Sequence, residues 1–192
     1  MNGLGGLGIA LIVMVGLALV VLIWAITTYN RFVGLRTHIK ESWAGIDVEL
    51  KRRYNLIPNL IETVKGYAKH ERETLEAVIE ARNRAASNNG SAESQAQDEN
   101  MLSGALRQLF ALAENYPELK ADTHFKELQD ELSNTEDRIA ASRRFYNGNV
   151  REYNALRQMF PSTVVAGLFN FDEETFFELD DQAQREAPKV QF

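Results

Sequence analysis

Chemistry needs particular side chains at particular spacings, and this chain offers few of them. Gly3-Leu4-Gly5-Gly6-Leu7-Gly8 matches the glycine pattern of a dinucleotide-binding turn. That turn works only after a strand and at the mouth of a helix, where backbone N–H groups face a pyrophosphate. Here the glycines lead into an apolar run, so they read as small residues at the end of a membrane helix, suited to close helix–helix approach. Histidine occurs at 38, 70 and 124. A di-iron site in a helical bundle needs Glu three positions before His, and these histidines have Leu35, Tyr67 and Ala121 there. His70-Glu71 lacks the second histidine of a zinc protease helix. The chain has no cysteine, which excludes thiol nucleophiles, zinc–thiolate sites and disulfides. No Gly-x-Ser-x-Gly elbow and no phosphate-binding loop is present. Carboxylate pairs such as Glu71/Glu73 and Glu131/Glu136 are ordinary on a solvated helix face. The residues therefore predict no catalytic group, no cofactor and no metal.

What remains is a question of elements. Residues 1–30 contain no charged side chain, and Leu7 to Ile26 is almost wholly apolar. Twenty such residues make a helix of roughly 30 Å, enough to cross the hydrocarbon of a bilayer. A cleavable signal would show a basic start, a shorter core and a small-residue cleavage site. None is present, so residues 1–29 are expected to be an uncleaved single-pass anchor that meets lipid through residues 7–26. Trp24 and Tyr29 stand where that helix should leave the hydrocarbon, which suits their amphipathic rings. The nearest cations are Arg31, Arg36 and Lys40. The excess of positive charge on that side predicts a cytoplasmic soluble domain.

The rest of the chain fits one domain. Its net charge of −6 argues against a nucleic-acid partner. Apolar residues recur every three or four positions at Phe32, Leu35, Ile39, Trp43, Ile46, Leu50 and Tyr54, the mark of one helical face. No breaker separates this helix from the membrane run. Pro58 predicts its end near Leu56 and a second helix over 58–86. The Ser/Asn/Gly/Gln stretch 87–97 reads as a loop. A third helix is expected over 98–115 and a fourth over 121–160, with Phe125, Leu128, Leu132, Thr135, Ile139, Tyr146, Val150, Tyr153 and Phe160 inward. The fold class is thus all-α: a transmembrane helix continuous with an elongated antiparallel four-helix bundle over 30–160, then an apolar tail over 161–192.

Three stretches carry a resemblance. RRYNLIPNLIETVKGYAKHERETLEAVIEAR (52–82), NYPELKADTHFKELQDELSNTEDRIAASRRFYNGNVREYNALRQMFPSTVVAGLFNF (115–171) and the terminal APKVQF are similar to the motifs of the bacterial LemA family. The resemblance implies a helical-bundle domain on a single-pass membrane anchor and brings no established activity with it.

Within those motifs, polar residues recur beside the apolar stripes: Arg53, Asn59, Tyr67, Arg82, Gln129, Arg138, Asn147 and Asn154. A polar group on a bundle seam destabilises the fold unless it is paired. These eight are expected to form a structural network that sets helix register, or to line a binding groove. The tail residues Val164, Val165, Leu168, Phe169 and Phe171 are too apolar for water and are expected to form an oligomer interface. Taken together, the sequence predicts a non-enzymatic scaffold of the cell membrane that self-assembles into a homo-oligomer and meets membrane-protein partners. An accessory or sensor subunit of a membrane enzyme such as a protease is the alternative.

Overall fold

A computed structural model describes residues 3–68 and 70–179 of this protein. The terminal APKVQF lies outside them. The described residues form six helices and no strand: α1 (Gly3–Tyr67), α2 (Arg72–Ser87), α3 (Ala92–Ala113), α4 (Pro117–Ala121), α5 (Thr123–Gln158) and α6 (Ser162–Leu168). They divide into two compact units. Of the described residues, the first joins those up to Glu41 with Gly148–Glu174, and the second joins Ser42–Asn147 with those from Thr175.

In the first unit, the large apolar side chains of α1 from Ile9 to Ile23 are each more than half exposed. The most apolar 18-residue stretch of the helix has a mean hydropathy of 3.1 and none of it is buried. An apolar helix with no protein around it needs an apolar surrounding, and a bilayer supplies one. Past Tyr29 the same helix acquires a buried face at Phe32, Leu35 and Ile39. Phe32 stacks on Phe171 at 4.6 Å between ring centres and meets Tyr153 of α5 edge-on at 5.7 Å. The Ser162 hydroxyl donates to the Leu156 carbonyl at 2.6 Å, satisfying an orphan acceptor at the end of α5. Helix α6 closes with Asn170 at φ 52°, a left-handed conformation that asparagine tolerates well. The Phe171 N–H then reaches back to the Ala166 carbonyl at 3.0 Å. This is a Schellman stop, and it leaves Phe171 in the core.

The second unit packs the distal part of α1 with α2, α3, α4 and the first turns of α5. Its core includes Ile46, Leu50, Ile57, Leu60 and Val64 of α1, Val78 of α2, Leu102 and Leu109 of α3, Leu119 of α4, and Leu132 and Ile139 of α5. Here the structure corrects the expected boundaries. Pro58 does not end α1, which runs on to Tyr67. Proline removes the N–H that would bond the carbonyl four residues back, which belongs to Tyr54. Arg82 of α2 replaces it: its Nε donates to the Tyr54 carbonyl at 3.2 Å. The expected second helix is therefore split, with the chain turning after Gly66 and Tyr67 and α2 starting at Arg72. The expected 87–97 loop also shrinks. Ser91 caps α3 by accepting from the Ser94 N–H at 3.2 Å, so Ala92–Gln97 is helical. Asp122 does the same for α5, accepting from the Phe125 N–H at 2.9 Å.

Candidate functional site

The second unit seals a charged cluster in its core. Arg53 of α1 and Glu99 of α3 both have fully buried side chains. Arg53 Nη1 donates to Glu99 Oε2 at 3.2 Å, and its Nη2 donates to Ser103 Oγ at 2.8 Å. The same Nη2 lies 3.1 Å from Glu136 Oε1 on α5, while Nε has no partner. The Tyr54 hydroxyl donates to Glu99 Oε1. Gln95 Nε2 reaches both that oxygen and the Ala85 carbonyl at 3.0 Å, joining α3 to the last turn of α2. One arginine, one carboxylate and their partners thus tie four helices together.

Burial raises the Glu99 carboxyl above the ordinary carboxylate value, and the Arg53 charge with bonds from Tyr54 and Gln95 pulls it partly back. Burial and the Glu99 charge push the Tyr54 hydroxyl well above its ordinary value. A 240 Å³ surface groove lined by Ser103, Glu136, Ile139, Arg143 and Leu179 borders the cluster from outside.

The expected seam residues go to three places. Arg53 lies in this core, and half-buried Arg82 bonds its Tyr54 carbonyl. Asn59, Gln129 and Arg138 are exposed, and Arg138 stands 4.0 Å from Glu49. Tyr67 is exposed too, its hydroxyl donating to Asp122 Oδ2 at 2.8 Å. That bond and the Phe125 N–H hold the Asp122 carboxyl below its ordinary value.

Asn147 and Asn154 do something the spacing alone did not reveal: each clamps extended tail backbone. In the first unit Asn154 Nδ2 donates to the Glu174 carbonyl at 2.8 Å, and its Oδ1 accepts from the Glu174 N–H at 3.1 Å. In the second, Asn147 makes the same pair with Phe177 at 3.0 and 2.9 Å. Arg157 Nε bonds the Phe171 carbonyl at 2.9 Å, the Tyr146 hydroxyl bonds that of Thr175 at 2.9 Å, and Arg143 bonds that of Leu179 at 3.0 Å. Side chains of α5 thereby satisfy tail backbone groups that no strand pairs.

The expected assembly residues divide as well. Val165 and Phe171 are buried within the chain, whereas Val164, Leu168 and Phe169 are exposed. Sequence reasoning passed over Glu99, Gln95, Ser103 and Tyr54 as cluster members. The readable signal was Gln95 and Glu99, four apart on the stripe that continues to Leu102 and Leu106.

An all-helical domain on a long exposed apolar helix defines a membrane-associated helical protein. The chain belongs to the LemA family, whose sequence profile matches residues 42–192. It is also similar to the magnetosome protein MamQ of Magnetospirillum gryphiswaldense, at 23% identity over 85% of this chain and 71% of that protein. Two MamQ proteins of Paramagnetospirillum magneticum are 24% identical over 78% of this chain and 64% of their own length.

Proposed function

We propose that this protein is a non-enzymatic, membrane-anchored scaffold that self-assembles and organises partner proteins at the bacterial inner membrane, with its helical domain on the cytoplasmic side. The observation that carries this reading is the unbroken course of α1, 65 residues from the apolar run into the core of the second unit. No linker of irregular chain separates the apolar run from the residues of α1 that enter the core. The buried Arg53, Glu99 and Gln95 support the same reading, because they bond one another and backbone. Gly8 and Gly16 lie open on the apolar part of α1, leaving room for a neighbouring helix. Arg31, Arg36 and Lys40 flank the apolar run and favour the cytoplasmic side. The relatives' name, magnetosome protein, adds support for a part in a larger cellular structure.

The test is the mass of the full chain in mild detergent, by light scattering. A discrete oligomer of several copies is expected. A monomer that co-purifies in fixed proportion with a membrane enzyme would replace the scaffold with an accessory or sensor subunit.

A further inference from the structure

We infer that the segment around α6 is a second membrane contact, with Phe160, Val164, Leu168 and Phe169 seated in the headgroup–acyl boundary of the bilayer that α1 enters. The inference rests on the reading of α1 as an anchor.

Between Arg157 and Asp172 the chain carries no charge. Among the described residues beyond residue 30, eleven large apolar side chains are exposed, and five of them (Met159, Phe160, Val164, Leu168 and Phe169) fall within residues 159–169. Helix α6 buries Ser162, Val165 and Ala166. Its other face presents Val164 and Leu168, four apart and 51% and 72% exposed, beside Phe160 at 84%. Isolated apolar groups on a surface need no explanation, but a clustered set marks an interaction site.

The level of this set along α1 decides what covers it. The Phe169 ring lies 4.8 Å from the ring of Tyr29. Tyr29 is only three residues past Ile26, the end of the apolar run, or about 4.5 Å along the helix. The headgroup layer on each side of a bilayer is roughly 5–8 Å deep. An aromatic held at Tyr29 by its own chain therefore lies within that layer whenever α1 spans the hydrocarbon. Of the three acids that follow, Asp172, Glu173 and Glu174, the last two each have a cation at hand. Glu174 lies 3.4 Å from Arg36, and Glu173 lies 3.6 Å from Arg157.

Because the chain is free of cysteine, a single introduced thiol reports from one place. The full chain is reconstituted in phosphatidylcholine/phosphatidylglycerol vesicles with an environment-sensitive fluorophore at Phe160→Cys or Leu168→Cys. Leu19→Cys serves as the reference within the bilayer and Asn134→Cys as the reference in water. Lipids spin-labelled high on the acyl chain should quench the two α6 probes several-fold more than the Asn134→Cys probe. If they quench no more than that probe while Leu19→Cys is quenched, the second contact is wrong and the anchor stands. If the α6 probes instead transfer energy between copies, and unlabelled protein dilutes the transfer away, the patch is a protein–protein surface and the lipid assignment is overturned. If Leu19→Cys is also unquenched, the anchor reading fails and takes this inference with it.

Discussion

The unit that carries the apolar run and the unit beyond Glu41 are held by different materials. The first packs Phe32, Tyr153 and Phe171 ring against ring and leaves an uncharged patch outside. The second draws an arginine and a glutamate into its centre and closes four helices over them. Aromatic packing is tolerant, since rings can meet at many angles at modest difference in energy. A buried ion pair is intolerant, since breaking it leaves a charge with no water and no partner. The difference places the demand for unique helix register in the second unit, where four helix segments must agree on one arrangement.

Arg53 offers the sharpest way to break the comparison. Arg53→Ala leaves Glu99 buried without its counter-charge and should cost about 3–5 kcal/mol in chemical denaturation followed by circular dichroism. Arg53→Met combined with Glu99→Leu should recover most of that loss, because the cost belongs to the unpaired charge. A loss below about 1 kcal/mol for Arg53→Ala would mean the pair is not sealed.

The asparagine clamps test the tail and should matter less. Asn154→Ala and Asn147→Ala each leave two backbone groups without partners, at about 1–3 kcal/mol. Hydrogen exchange should separate them: the Glu174 amide should exchange faster in the first variant and the Phe177 amide in the second. If both amides respond alike in both variants, the two clamps are not independent.

The smallest effect is in pH. Burial raises the folded carboxyl of Glu99 above its ordinary value of 4.5. The folded state therefore holds this proton more tightly than the unfolded state. Its contribution to stability is fully present below pH 4.5 and is lost as pH rises through the folded value. Glu99→Gln cannot ionise, so its denaturation midpoint should fall less from acid to neutral pH than the native protein's. Equal slopes would show that Glu99 is not held in its protonated form more strongly by the fold.

Much of this was legible in the chain itself. An uncharged apolar run can only be covered by something apolar, so the long exposed helix followed from composition. Apolar stripes at helical spacing placed Phe32, Ile46, Leu50, Leu132, Ile139 and Val150 in cores. The motifs that resemble the LemA family named the family the profile match shows. Local rules went wrong where a distant residue overruled them. Pro58 breaks a helix by orphaning the Tyr54 carbonyl, and no local pattern shows that Arg82 will supply the missing donor. Arg53 was recognisable as a polar residue beside an apolar stripe, but its partner lies 46 positions away. Asn147 and Asn154 looked like seam residues, yet their role depends on which segment comes to lie along α5. Periodicity tells a residue which way it faces within its own helix. What it meets there is set by the packing of the other helices, and only the tertiary structure decided whether a buried polar group would find a charge, a carbonyl or a passing strand of backbone.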